Sequence, residues 1–211
     1  MNEALNRLVD NEHRLVRLFD PPFDRTTLEP GYIKGYLPGI RENGGQYTHG
    51  VCWLIQALVR IGRGSEAWKM FDLIHPFKIT ATAAGVQRYQ GEPYVIAADV
   101  YAHPQHRGRS GWTWYTGSAA WLYRVAIEEL LGFELRGNLL TLKSILPAGW
   151  NGFQLHYQHH ATKYHITVTC SAGGKNDVIL DGIKLPDRHI PLVDDEKEHE
   201  VQVLLPHACD E

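Results

Sequence analysis

Cysteine is scarce in this chain of 211 residues, with Cys52, Cys170 and Cys209 making an odd count. A disulfide framework needs an even and denser set, so a reducing compartment is expected. Positive charge is not in excess either, because the formal net charge is −3. Nothing is left over to neutralise a phosphate backbone, which excludes nucleic acid as an expected partner. No run approaches the roughly 20 apolar residues of a membrane helix. The opening MNEALNRLVDNEHRLVRLF lacks the apolar core and small-residue cleavage site of a signal peptide. A soluble, cytoplasmic chain is therefore expected. Walker A, a strand-linked GxGxxG and a GxSxG elbow are all missing, which removes the common nucleotide-binding and serine-hydrolase signatures.

What is present is an ordinary globular composition, with 44% hydrophobic and 21% charged residues. That excludes a disordered tail, a collagen-like fibre and a coiled coil. The length suits one or two domains with a real core. Charge is uneven: residues 176–211 hold ten acidic and three basic side chains. A solvated edge is the simple reading, and an interaction tail the other.

Apolar residues at a spacing of three to four predict a first helix over 3–19, stopped by Pro21-Pro22. A long loop rich in glycine and proline follows, of the kind more often functional than idle. Residues 46–61 predict a second helix with Val51, Leu54, Ile55, Leu58 and Ile61 on its apolar face, and Gly62 beyond its end. Ser65 is expected to cap a third helix, with Ala67, Met70, Phe71 and Ile74 inward. Residues 93–101 read as helical, although their Val and Ile content also suits a strand. Residues 117–131 are apolar almost all round and predict a helix buried on most sides, ended by Gly132.

Beyond Gly132 the hydrophobic period changes from 3.6 to 2. Tyr164, Ile166, Val168 and Cys170 fall on one strand face, with His165, Thr167 and Thr169 on the other. Gly137-Asn138 and Asp181-Gly182 read as hairpin turns, and Val201, Val203 and Leu205 as a last strand. The expected class is α+β: a helical domain over 1–132, then a small antiparallel β-sandwich of about seven strands over 133–211.

Two loops concentrate the chemistry. GYIKGYLPGIRENGGQYTH sets Arg41, Glu42, Gln46 and His49 at one helix start. GRSGWTWYTGSAAW sets Trp112, Trp114, Tyr115, Thr116 and Gly117 at another. Unpaired N–H groups at helix starts suit an anion. The same Thr and Ser serve equally as plain N-caps, and His49 as a core histidine, so both readings stay open. The aromatic density suits the apolar C–H faces of sugar rings, or a core. The loop carboxylates are Glu42, Glu92 and Asp99. None has a context marking it as a general acid, and glycoside hydrolysis normally needs two acids. Glu42, beside Arg41, suits hydroxyl binding. Among the histidine pairs, His156 and His159 point to opposite faces of a strand, so no native metal site is expected. Retention on immobilised nickel is the modest expectation.

The stretches PGYIKGYLPGIRENGGQYTH, EPYVIAADVY and GRSGWTWYTGSAAWLYRVAIEELLG resemble the glycoside phosphorylases of glycoside hydrolase family 94. The resemblance looks closest to the C-terminal phosphorylase-like domain of cyclic β-1,2-glucan synthases and to β-1,2-oligoglucan phosphorylases. It implies the C-terminal part of an (α/α)6 toroid followed by a β-sandwich. It also implies inverting phosphorolysis of a β-glucoside to α-glucose 1-phosphate, with inorganic phosphate as co-substrate and no cofactor. His49, Thr116 and Gly117 match the family's phosphate-binding positions. Glu42 matches a donor-sugar position, with Arg41 and Gln46 as weaker matches, and Trp114 is expected beside the sugar. Ala98 stands near where cellobiose-specific members are expected to carry glutamine, which fits another linkage such as β-1,2. The family's general-acid aspartate lies in an upstream block, and no DWND-like segment occurs here.

The resemblance therefore implies the last third of a phosphorylase domain: a cloned fragment, a truncated gene or one piece of a split protein. Such a chain is expected to be inactive alone and to cover its open helix faces by self-association or by binding the missing part. The alternatives are a non-catalytic carbohydrate-binding or assembly module and a gene remnant. Membrane attachment of a parent protein is left open, since the family's cyclic glucan synthases are membrane proteins.

Overall fold

The computed structural model describes residues 1–27, 29–171 and 176–206. Cys209 and the final acidic pair lie outside the described residues. The chain forms two compact units, Met1–Val125 and Ala126–Glu211.

The first unit opens with α1 (Asn2–Leu8), which stops well short of the expected Phe19. Strands β1 (Val9–Asp10) and β2 (Leu15–Val16) follow as a tight hairpin. Local side-chain chemistry overrides the helical period here. The Asp10 carboxylate accepts the His13 backbone N–H at 3.0 Å and faces its imidazole at 3.1 Å. Arg14 then turns the chain at φ 57°. The reward is burial of Leu15 and Val16.

Strand β3 (Gln46–Tyr47) leads directly into α2 (Thr48–Arg60). The buried face of α2 is Val51, Cys52, Ile55 and Leu58, while Ile61 is exposed. Gly62, at φ 78°, ends it as expected. Gly62 N–H reaches Val59 O and Arg63 N–H reaches Leu58 O, the paired bonds of a Schellman turn. Helix α3 (Gly64–Ile74) starts one residue before Ser65, whose side chain does not cap it. Short helices α4 (Pro76–Ile79) and α5 (Ala83–Tyr89) follow. Thr82 caps α5 by accepting the Gly85 N–H at 3.1 Å.

Residues 93–101 are not helical: a turn over 93–95 leads into β4 (Asp99–Val100), which pairs antiparallel with β3. The backbone groups a helix would use are taken by flanking loops. Ala98 O accepts from Thr48 N at 2.9 Å, and Ala98 N donates to Trp112 O at 2.7 Å. Helix α6 (Thr116–Arg124) continues over Val125–Leu130 with π-helical hydrogen bonding. Within α6 only Ser118 is buried, and Tyr123 is 68% exposed, so the expected burial on most sides is not met. Inside its unit the helix packs on α2 through Trp53 and Trp121, while Ala119, Ala120 and Tyr123 are exposed.

The second unit holds β5 (Phe133–Arg136), β6 (Leu139–Leu142), β7 (Gly152–His159), β8 (Thr162–Ser171), β9 (Asp177–Leu180), β10 (Ile183–Lys184), β11 (Ile190–Pro191) and β12 (Glu198–Pro206). They form a five-stranded sheet in the order β10-β9-β12-β8-β7 and a three-stranded sheet in the order β11-β6-β5. Both expected hairpin turns form. Gly137 takes φ 61°, and Asp181 and Gly182 take φ 48° and 81°, the left-handed pair a two-residue type I′ turn requires. One pairing departs from the antiparallel expectation: β12 runs parallel to β8 over nine residue pairs. The chain between those strands, which includes β9 to β11, is long enough for such a crossover. Leu140, Leu142 and Ile190 from the smaller sheet share one core with Tyr164, Ile166, Val168, Val178, Val201 and Val203 from the larger.

Candidate functional site

The candidate site is built where the two chemistry-rich loops meet the extended segment 97–100. Thr48, wholly buried, donates its hydroxyl to Ala97 O at 2.6 Å. Across the ladder, Gln46 faces Val100 and Tyr47 faces Asp99. On the other side, Asp99 accepts the Trp112 backbone N–H on Oδ1 at 2.7 Å, and Gly111 N donates to Asp99 O at 2.9 Å. The Asp99 carboxylate lies so close to Gly111 that a Cβ there would meet it at 2.3 Å, so only glycine fits.

The first loop is held from within. Asn43 is wholly buried and donates to Phe23 O and Tyr36 O while accepting from Phe23 N. Gly45 packs on the backbone of Arg41, with no space for a side chain. Arg41 adopts φ 47° and lays its guanidinium 3.5 Å from the Trp112 ring centroid. Trp112 stacks in turn on Tyr115, with centroids 5.1 Å apart. Glu42 accepts a hydrogen bond from the Tyr47 hydroxyl, and burial together with that bond pushes the Tyr47 phenol well above its ordinary range.

Asp99 is the most deeply placed carboxylate of the group, at 1% exposure. Burial raises its pKa above the ordinary carboxylate value, against the lowering effects of the Trp112 N–H bond and the Arg41 charge. Asp99 Oδ2 and Glu42 Oε2 are buried without a hydrogen-bond partner among the described residues. This small network of negative charge is set against one guanidinium.

Each residue singled out in the sequence has a definite place. His49, half-buried near the start of α2, packs between Tyr47 at 5.3 Å and Trp53 at 5.1 Å. Trp53 meets Trp121 of α6 edge-on at 5.8 Å, so a chain of rings joins the two helices. Thr116 and Gly117 form the exposed first turn of α6, where no side chain caps the helix and nothing lies within 4 Å of a Gly117 Cβ position. Trp114 is 67% exposed at φ 63°, and its indole N–H donates to Glu92 at 2.9 Å. Its ring meets exposed Tyr94 at 6.3 Å. Gln46 is different, because its amide is engaged inside the unit. Oε1 accepts from Val16 N at 2.8 Å and Nε2 donates to Thr48 Oγ1 at 3.3 Å. Gln46 therefore holds the β2–β3 contact through its amide, buried at 1% exposure.

The residues that sequence reasoning undervalued are Asn43, Tyr47 and Thr48. Their signal was position: a short polar side chain before Gly44-Gly45, and two hydroxyls flanking the β3–α2 junction. Among the described residues, no group of three or more His, Cys, Asp or Glu side chains is gathered to hold a metal ion. Among the same residues, no helix is long and apolar enough to cross a membrane.

Residues 1–132 match the family described as "Glycosyl hydrolase 94 superfamily, catalytic domain". The chain belongs to that superfamily, and so to the proteins of carbohydrate metabolism. It is 44% identical over 169 residues to cyclic beta-(1,2)-glucan synthase NdvB of Rhizobium meliloti (strain 1021), covering 80% of this chain and 6% of that protein. It is 27% identical over 207 residues to solabiose phosphorylase of Paenibacillus borealis, covering 95% and 26%. It is 26% identical over 160 residues to 1,2-beta-oligoglucan phosphorylase of Listeria innocua serovar 6a, covering 69% and 14%. The chain thus spans 6%, 26% and 14% of the length of these three relatives.

Proposed function

We propose that this chain forms the phosphate- and donor-sugar-binding portion of an inverting glycoside phosphorylase acting on β-glucan, with β-1,2 as the linkage. The reaction is β-glucoside plus phosphate to α-glucose 1-phosphate. A phosphate oxygen forms the new bond to the anomeric carbon as the glycosidic C–O bond breaks, and a general acid protonates the leaving oxygen. Phosphate is already nucleophilic, so no second carboxylate is needed as base, and one beside it would repel it. Residues 1–132 are read as part of an (α/α)6 toroid and residues 133–211 as its β-sandwich. The general acid is assigned to a segment outside these 211 residues.

The observation that carries this reading is the meeting of the first loop-to-helix junction and the second loop on residues 97–100, through Thr48 N to Ala98 O and Ala98 N to Trp112 O. The uncapped first turn at Thr116 and Gly117 supplies N–H groups and a positive helix end for the anion. His49 is steadied by its two aromatic neighbours as a further donor. Glu42 and Arg41, beside Trp112, supply acceptor and donor for sugar hydroxyls. The identity to the cyclic glucan synthase and to the oligoglucan phosphorylase supports the β-1,2 linkage.

Calorimetric titration of the purified chain tests this. Inorganic phosphate is expected to bind, with affinity reduced at least tenfold in His49→Ala and Thr116→Val. Unchanged phosphate affinity in both variants overturns the assignment. Binding of sophorose without phosphate favours the non-catalytic carbohydrate module. The chain alone is expected to release no glucose 1-phosphate from β-1,2-glucan, and robust release would place the acid within it.

A further inference from the structure

We propose that His156 and His165 chelate one divalent transition-metal ion on the outer face of the five-stranded sheet, remote in sequence from the sugar and phosphate loops. The two histidines are direct register partners across β7 and β8. Their Nδ1 atoms lie 2.7 Å apart, with ring centroids at 4.9 Å and planes at 76°. Strand β12 places Glu200 opposite His165 on the other side. The neighbouring side chains Tyr164 and Ile166 point into the core, so the histidine row faces outward. A cavity of about 250 Å³ opens over it, lined by Gln154, His156, His165, Ile166, Thr167 and Glu200. The hollow is open to solvent, so water reaches both imidazoles.

A second observation sets the tautomer. His165 Nε2 lies 3.4 Å from Glu198 Oε2, and Lys163 Nζ holds the other Glu198 oxygen at 2.9 Å. A carboxylate on Nε2 accepts its N–H, which leaves the His165 Nδ1 lone pair facing His156. This is the carboxylate–histidine arrangement that orients metal-bound imidazoles. Without metal, His156 Nδ1–H donates to that lone pair. On binding, this proton passes through solvent to the outer Nε2 of His156, and both Nδ1 lone pairs meet the ion. Glu200 adds negative charge at the cavity rim, and waters complete the coordination shell.

The general affinity order of divalent first-row ions for imidazole ligands sets the expected ranking, with Cu²⁺ bound more tightly than Ni²⁺ or Zn²⁺.

Calorimetric titration of the full chain with NiCl2 and CuCl2 tests the site. One equivalent is expected to bind. His156→Gln and His165→Gln each weaken it at least tenfold, and Glu198→Gln, with both imidazoles intact, weakens it about tenfold. His159→Gln, next along the strand, leaves affinity unchanged. No binding to the unaltered chain overturns the proposal, as does unchanged affinity in His156→Gln or an equal loss in His159→Gln. Should a variant fail to fold, imidazole ¹⁵N spectra of the unaltered chain during ZnCl2 addition decide: the Nδ1 signals of His156 and His165 must shift ahead of all other histidines, and any other pattern refutes the site.

Discussion

The guanidinium of Arg41 lies 3.5 Å from the centre of the Trp112 ring, and this contact joins the two loops of the candidate site. Arg41 holds an unfavoured positive φ to make it. A cation over an indole face is worth about 0.5–2 kcal/mol, depending on exposure. Arg41→Ala, Trp112→Leu and the double variant should therefore couple by about that amount in urea denaturation. Purely additive losses would mean that the stack contributes nothing to stability.

Asp99 gives a pH signature. Its folded-state pKa is raised, with burial as the largest cause, so the folded form binds its proton more tightly than the unfolded form does. Its contribution is fully present below the ordinary carboxylate value and is lost as pH rises through the folded-state value. Asp99→Asn keeps an acceptor for the Trp112 N–H and removes the titration. The stability of Asp99→Asn relative to the unaltered chain should rise as pH climbs above about 4. Urea midpoints measured between pH 4 and 7 check this, and a flat difference would count against a buried titrating carboxyl.

His199 gives a signature of the same sign from a different cause, a favourable ion pair in place of an unfavourable burial. Its Nδ1 meets Asp181 at 2.7 Å and its Nε2 meets Asp195 at 3.2 Å, and the Asp181 bond is the largest cause of its raised pKa. The same bond lowers the pKa of Asp181. The histidine contribution is present below about pH 6.5 and is lost as pH rises through the folded-state value; the aspartate contribution is lost on acidification below about pH 4. His199→Gln should therefore cost most between those limits, on the order of 1 kcal/mol, and markedly less at pH 8.5. Thermal melts at pH 5.5 and 8.5 measure it, and equal losses at both would exclude the charged pair.

The β unit was legible because its signals are local. Strict alternation from Tyr164 to Val168 and the Asp-Gly turn each specify one conformation. The helical unit was less so. The periodic stretch 3–19 breaks where Asp10 captures His13, a competition that hydrophobic spacing does not register. Residues 93–101 satisfy a helical pattern, but their backbone partners come from Thr48 and Trp112, far away in sequence. At the candidate site, Arg41 and Glu42 could be read from their loop. The interior role of Gln46 could not, because its amide partner at Val16 is thirty residues away.

Strand β12 sits between β9 and β8, in the interior of the larger sheet. Its partners on β8 are 35 residues earlier at every paired position, as in Glu198 with Lys163. During synthesis the hairpins on either side can form early, yet they have no common edge until Glu198–Pro206 emerges. The ribosome must therefore release nearly the whole unit before its central seam can zip, which makes this sheet a late and slow step of biogenesis.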